Sequence, residues 1–151
     1  MHTHALKYPA LIERGADGIS ITFPDFPMVA TSAESEDELT ETLVDALDEA
    51  IAFTIDEELP LPPASKVDGA VDVLPSAEMA LKAKLYAIVR SRAWSQAELA
   101  RHLDINRADA HRLLDPRHST RLDRMTSAFK RLGYDIIVAL QDHTQSPVVR
   151  G

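Results

Sequence analysis

One stretch of the chain, residues 95–114, constrains the fold more than any other because it predicts two short helices joined by a tight turn. Ser95 and Glu98 have the spacing of a capping box, in which side chains satisfy free backbone N–H groups at a helix start. Asp104 and Asn106 mark the break, since both tolerate turn conformations and Asn106 can cap a second helix. Paired helices of this kind are typical of a helix-turn-helix, whose second helix enters the major groove of DNA.

The second predicted helix should bury one face and present the other. Ala110, Leu113 and Leu114 have the spacing of a buried side. On the opposite face, Arg107 and Arg112 are candidates for contacts to guanine edges or phosphates, although a solvated or ion-paired surface side chain is an alternative of equal weight for each. The start of the first helix and the loop after the second helix would bind phosphates of the DNA backbone. The predicted DNA contacts are Gln96, Asn106, Arg107, Ala108, His111, Arg112, Arg117, His118, Ser119 and Thr120.

The charge of the chain is divided between its halves. The net charge is -8, but residues 1–75 hold 3 Lys+Arg and 16 Asp+Glu, for -13, whereas residues 76–151 hold 13 and 8, for +5. Phosphate backbones would repel the first half and attract the second. We therefore predict two domains with different partners, residues 1–74 and 75–151, with an extended proline-rich segment at residues 59–69.

The first half has the pattern of a small antiparallel sheet with one long helix. Alternating apolar residues predict strands over about residues 6–12 and 19–23, and further strands are predicted near residues 28–32 and 70–74. Ser35 and Glu38 repeat the capping-box spacing before a helix of about 20 residues. Its apolar stripe comprises Leu39, Leu43, Leu47, Ala50, Ile51 and Thr54. The predicted fold class is α+β.

The second half is predicted to be helical and to end in a strand. A helix over residues 77–92 precedes the helix-turn-helix, and Trp94 is expected to fill the core beneath it. Ser119 or Thr120 should cap a last helix. Residues 134–140 predict a strand, which would pair with its counterpart in a second copy to give a twofold dimer; pairing within its own chain is the alternative. The buried stripe of the last helix is predicted to be Leu122, Met125, Phe129 and Leu132.

Composition excludes several function classes. The chain has no cysteine, hence no disulfide or thiolate metal site. It lacks an apolar run of the roughly 20 residues that a membrane span needs, as well as a signal-peptide core, so we expect a cytoplasmic protein with no membrane partner. Glu41, Asp45, Asp48 and Glu49 share a helix face, as a metal-dependent nuclease would require, but acidic faces are far more often simply solvated. We therefore expect no enzyme activity, no metal and no cofactor.

Several short motifs follow one another through the chain. They are Tyr8-Pro-Ala-Leu-Ile-Glu13, Asp17-Gly18, Phe23-Pro-Asp-Phe-Pro27, the acidic capped helix from Ser35, and Leu61-Pro-Pro-Ala-Ser65. In this order they resemble the HicB antitoxin family. The resemblance covers nearly the whole chain, since some HicB proteins carry a helix-turn-helix after this domain, often with a stretch like Leu114-Asp-Pro-Arg-His-Ser-Thr120. The chain departs from the family's pattern at Met28, where many relatives have glycine, and at Asp104, where glycine is usual in the turn of the helix-turn-helix.

The resemblance implies a fold and two partners. HicB front domains have a degraded ribonuclease-H-like fold and bind a small basic HicA toxin, which cleaves mRNA using a double-stranded-RNA-binding-like fold and a His. The back domain represses the antitoxin's own operon. The chain is thus expected to bind a HicA-type toxin, through residues that the sequence does not identify, and palindromic operator DNA, as a homodimer or higher oligomer. The alternative is a stand-alone transcriptional regulator whose front domain senses a ligand or mediates assembly.

Overall fold

The computed structural model describes residues 4–142, which form two compact units. The first unit is drawn mainly from Met1–Ala50 and Pro62–Ser76, and the second from Ile51–Leu61 and Ala77–Val138. The two units are not separated at a single position in the sequence, because each contains more than one segment of the chain. The last residues of the long helix, and the segment that follows them, belong to the second unit.

Four antiparallel strands form the sheet of the first unit. They are β1 (Tyr8–Gly15), β2 (Gly18–Thr22), β3 (Ala30–Ala33) and β4 (Val71–Val73), arranged in the order β3-β2-β1-β4. The hairpin between β1 and β2 requires a glycine at Gly18, because its φ is +128° and a Cβ there would lie 3.1 Å from the Ala33 carbonyl oxygen. The predicted α+β class and its small antiparallel sheet are confirmed.

The helix α1 (Glu36–Asp56) is 21 residues long, and its predicted apolar stripe is buried along its whole length. The capping interaction at its start is displaced by one residue, since the Glu38 carboxylate accepts the backbone N–H of Glu34 at 3.4 Å. Arg14 of β1 pairs with Glu36 in the first turn, and this hydrogen bond lowers the pKa of Glu36. The exposed face of the helix is mostly acidic, with Phe53 as an exposed apolar side chain near its end.

The motif Phe23-Pro-Asp-Phe-Pro27 forms the corner between β2 and β3. Two successive turns are closed by hydrogen bonds from Phe26 N–H to the Phe23 carbonyl at 2.9 Å and from Val29 N–H to the Phe26 carbonyl at 3.0 Å. Both phenylalanine side chains are buried. The prolines thus lie outside the strand ladders, as their missing N–H groups require.

The corner and the proline-rich segment hold each other in place. Asp25 accepts the backbone N–H of Ser65 at 3.0 Å, and Tyr8 donates its hydroxyl to the Pro62 carbonyl at 2.7 Å. Tyr8 also packs edge-on against Phe26, with ring centroids 4.8 Å apart. Burial, with a smaller contribution from the Asp25 charge, raises the pKa of Tyr8 to about 12. Three of the motifs that carry the family resemblance, those that contain Tyr8, Asp25 and Ser65, are therefore in direct contact.

Besides the end of α1, the second unit contains four helices: α2 (Ala77–Ser91), α3 (Gln96–Leu103), α4 (Arg107–Leu114) and α5 (Leu122–Arg131). One core joins them, and partly buried apolar residues such as Ile105 and Leu114 pack around it. Ala100 and Ala110 are small enough to let neighbouring helices approach closely. The core comprises Leu85, Val89, Leu99, Ala100, Leu103, Ala110, Leu113, Met125, Ala128, Phe129 and Leu132.

Two predictions for this unit are wrong, and one is met only in part. Trp94 packs against the core but is only half-buried, and its indole stacks on the His102 ring with centroids 3.9 Å apart. Leu122 is 62% exposed, because α5 begins there and no preceding helical turn covers it. Neither Ser119 nor Thr120 caps α5; its N-cap position is Arg121, which makes no side-chain capping bond. The Thr120 hydroxyl has another partner, the Lys82 ammonium.

The predicted strand over residues 134–140 is not formed in the single chain. Tyr134 and Ile136 pack against the core of the second unit, but Ile137, Val138 and Leu140 are 75%, 80% and 96% exposed. A strand needs a neighbour to complete its hydrogen-bond ladder, and no described residue of the same chain pairs with this segment. The alternative in which it joins a sheet of its own chain is therefore wrong within the described residues. Residues 143–151 lie outside them.

Candidate DNA-binding surface

Both predicted caps of the helix-turn-helix are formed. Ser95 lies in extended backbone and its Oγ accepts the N–H of Glu98 at 3.1 Å, so α3 begins at Gln96. Asn106 acts in the same way for α4, where its Oδ1 accepts the N–H of Asp109 at 2.7 Å. Each cap satisfies a backbone donor that has no partner inside the helix. The caps fix where each helix starts and therefore which side chains face outward.

The turn between α3 and α4 depends on a left-handed residue. Asp104 has φ 55° and ψ 50°, and the N–H of Ile105 donates to the Ala100 carbonyl at 3.0 Å. Glycine adopts this conformation without a steric cost, and aspartate is among the few other residues that visit it readily. The chain therefore makes the usual turn without the usual glycine.

The outward face of α4 lies where the sequence predicts. Ala110 and Leu113 are buried and Leu114 is half-buried. Among the remaining predicted contacts, Thr120 is also half-buried. The exposed ones are Gln96, Asn106, Arg107, Ala108, His111, Arg112, Arg117, His118 and Ser119.

Hydrogen bonds tie the outward face together. The Gln96 amide nitrogen lies 3.1 Å from Nδ1 of His111, which links the start of α3 to the middle of α4. Asp109 accepts from Arg112 at 2.9 Å and lies 3.7 Å from Arg124 of α5. Arg107, at the first position of α4, has no hydrogen-bond or ion-pair partner among the residues that the structure describes. Its guanidinium is thus available to an external acceptor.

The loop after α4 is ordered by its own hydrogen bonds. Asp115 accepts the N–H of Arg117 at 2.9 Å through its carboxylate, and its carbonyl accepts the N–H of His118 at 3.2 Å. The Arg117 guanidinium binds the Asp56 carboxylate at 2.7 Å. Arg117 is therefore held in an ion pair in the second unit, whereas His118 and Ser119 are exposed beside it.

A depression of about 290 Å³ lies beside the outward face. Arg121 and Arg124 contribute to its lining, although no local pattern in the sequence singles them out. Their positions at the start of α5 could be recognised only once the fold brought α5 next to α4. The lining residues are Asp109, Arg112, Leu113, His118, Ser119, Thr120, Arg121 and Arg124. Its cationic side chains and hydroxyl groups are the donor types that bind phosphate oxygens.

Two features of residues 4–142 bear on other functions. No group of three or more His, Asp or Glu side chains in this range is arranged to hold a metal ion, the acidic face of α1 included. None of the helices in the same range is long and apolar enough to cross a membrane.

The chain is similar to known antitoxins. Residues 7–84 match the protein family described as HicB_like antitoxin of bacterial toxin-antitoxin system. Antitoxin HicB 2 of Photorhabdus laumondii is 30% identical over 85% of this chain and 91% of its own length. Antitoxin HicB 1 of the same bacterium is 29% identical over 90% of this chain and 88% of its own length. Antitoxin HicB of Escherichia coli K12 is 28% identical over 89% of this chain and 99% of its own length.

Proposed function

The chain belongs to the HicB-like antitoxin family, and we propose that it has two binding activities. Its acidic first unit neutralises a small basic, mRNA-cleaving toxin of the HicA type. Its second unit binds palindromic operator DNA through α3 and α4 and represses its own operon. Both activities belong to the cytoplasm, where mRNA and operator are found.

The observation that carries the DNA-binding proposal is the exposed face of α4. Its first turn begins at a formed cap and projects Arg107, while Arg112 and His111 lie one turn later. Residues near the start of a recognition helix are the ones that contact base edges in helix-turn-helix proteins. The positive half of the chain supplies the long-range attraction to phosphates that such binding requires.

The toxin-binding proposal rests on the family match and on charge. The match covers residues 7–84, which include the whole sheet and α1. Residues 1–75 carry a net charge of -13, which would accelerate association with a basic partner and repel RNA. The matched relatives are themselves antitoxins, so a toxin partner follows from family membership, and its HicA type is the proposal.

A dimer would complete the DNA-binding unit. Residues 134–140 expose three large apolar side chains and have no pairing partner in the described part of the chain. The same segment of a second copy, related by a twofold axis, would pair with the backbone N–H and C=O groups of residues 134–140 and cover these side chains. A twofold dimer also matches the two half-sites of a palindromic operator.

The test is binding to the promoter-proximal DNA of the chain's own operon. We expect Arg107→Ala and Arg112→Ala each to weaken binding about tenfold or more, because each removes a base or phosphate contact. Lys130→Ala is the matched control. It removes one exposed positive charge from the far end of α5, where Lys130 pairs only loosely with Asp135, and should change affinity little.

Fluorescence anisotropy titrations at several salt concentrations would measure these affinities, with thermal unfolding to show that each variant is folded. The assignment of α4 as recognition helix is wrong if both arginine variants bind the operator as tightly as the unaltered chain. It is also wrong if Lys130→Ala weakens binding as much as they do.

A further inference from the structure

A lysine is buried inside the second unit, and every proton of its ammonium group is used. Lys82 of α2 is only 1% exposed. Its Nζ donates to the Arg112 carbonyl at 2.8 Å, to the Leu113 carbonyl at 3.0 Å and to the Thr120 hydroxyl at 2.7 Å. One side chain thus joins the last turn of α4 to the end of the loop that follows it.

The acceptors explain why an ammonium group fits this position. The last four carbonyls of a helix have no partner inside it, and the negative end of the helix dipole favours a positive charge there. The charged side chains whose fields favour the ammonium are Asp115 and Glu78. Burial opposes them and dominates, so that the pKa of Lys82 is lowered to about 8. The lysine is still mostly protonated at neutral pH.

The geometric effect of Lys82 is clearer than its effect on stability. Lys82 lies among the apolar residues of α2, such as Ala83 and Leu85, and its burial carries a desolvation cost. An apolar side chain would avoid this cost but would leave the Arg112 and Leu113 carbonyls without this donor. Buried charged groups are often no more stabilising than well-packed apolar ones, although they impose directional geometry. Three directional bonds from one atom fix the spacing between two segments. Both of those segments carry predicted DNA contacts.

We propose that Lys82 is a positioning residue for operator recognition. It holds the C-terminal end of α4 and the loop of residues 115–120 in the arrangement that presents Arg112, His118 and Ser119 together. This inference rests on the proposed DNA binding. Lys82 itself is buried and touches no DNA.

The lack of cysteine in the chain permits a sharp test. Lys82→Cys places a single thiol at the site, which can be alkylated in the unfolded chain before refolding. Bromoethylamine restores a lysine-length side chain that ends in an ammonium group, whereas bromopropane gives one of the same length that ends in a methyl group. The two products differ only in the group that would make the three hydrogen bonds.

We expect the aminoethyl form to bind the operator within about threefold of the unaltered chain. The propyl form should bind about tenfold or more weakly, the size of effect expected when one base-reading side chain no longer reaches the DNA. Its dependence on salt should also be shallower, by about one unit of slope for each phosphate that the protein no longer neutralises. A role in stability alone would leave both affinity and slope unchanged in a folded protein. A folded propyl form with the affinity and slope of the aminoethyl form overturns the inference.

A measurement on the unaltered chain covers the case in which the propyl form does not fold. A neutral amine has two protons to donate, so raising the pH through the Lys82 titration removes one of the three bonds. Amide NMR signals of Arg117, His118 and Ser119 should then shift with the side-chain signals of Lys82. If the amide signals of these three residues do not change as Lys82 titrates, the inference is wrong.

The two proposals fail separately. If the unaltered chain binds no operator, the proposed function is wrong, and the NMR titration still decides whether Lys82 orders the loop. If the unaltered chain binds and the propyl form binds equally well, DNA binding stands and the positioning role of Lys82 is wrong.

Discussion

Among single residues, Asp104 is in a left-handed conformation that few residues adopt readily, since its φ is 55° in the turn of the helix-turn-helix. We expect Asp104→Gly to raise the free energy of unfolding by up to about 1 kcal/mol, because glycine has no steric cost in this region. Asp104→Val should lower it by more than about 1 kcal/mol, since β-branched residues are strongly disfavoured there. Urea unfolding of both variants checks this, and equal stability of the two would contradict the assigned turn.

Lys82 gives a second residue-level prediction, which concerns how the free energy of unfolding depends on pH. Its pKa falls from 10.5 to about 8 on folding, so between these values the unfolded chain holds a proton that the folded chain has released. The free energy of unfolding should therefore rise with pH across this window, relative to Lys82→Met, by on the order of 1 to 3 kcal/mol. Below about pH 7 the difference between the two proteins should be constant. Denaturant unfolding from pH 6 to 10.5 checks this, and parallel profiles would contradict it.

Among whole segments, residues 134–140 make the clearest prediction, because the proposed dimer forms through their pairing. Successive N–H groups of a strand point in opposite directions, so only one of Ile137 and Val138 would donate to the partner strand. We therefore expect at least one of the variants Ile137→Pro and Val138→Pro to weaken the dimer markedly, because it removes a hydrogen bond between the strands. Val138→Thr keeps a β-branched residue and should not weaken it. Sedimentation over a range of concentrations measures this. Two proline variants that both dimerise normally would exclude pairing through this segment.

The elements that the sequence predicts well are those with local signals. Cap spacing located the starts of α3 and α4 because the bonds join residues only three apart, as in Ser95 and Glu98. Features that depend on distant partners were missed. Lys82 sits in an apolar stripe and resembles a solvated lysine until acceptors 30 to 38 residues away are known. Residues 134–140 have the local pattern of a strand, but a strand needs a neighbour, and residues 4–142 supply none.

For the whole molecule, the division of charge separates the two proposed activities. The first 75 residues carry -13 and the remainder +5, so a basic toxin and a DNA operator are attracted to different parts of the chain. Association with the toxin should slow markedly as salt rises, while the dissociation rate changes less, because electrostatic steering acts mainly on association. Stopped-flow or surface-binding kinetics at two salt concentrations would measure both rates. An association rate that does not change with salt would contradict a charge-driven encounter.

The central claim, that one chain combines toxin neutralisation with DNA binding, is tested most directly by co-expression with a HicA-type toxin. The measurement compares the unaltered chain with the double variant Arg107→Ala, Arg112→Ala for growth rescue, co-purification with the toxin and repression of a reporter under the operon's promoter. We predict that both proteins rescue growth and co-purify with the toxin, and that only the unaltered chain represses. Failure of the unaltered chain to rescue or to bind the toxin would contradict the account and favour a stand-alone regulator.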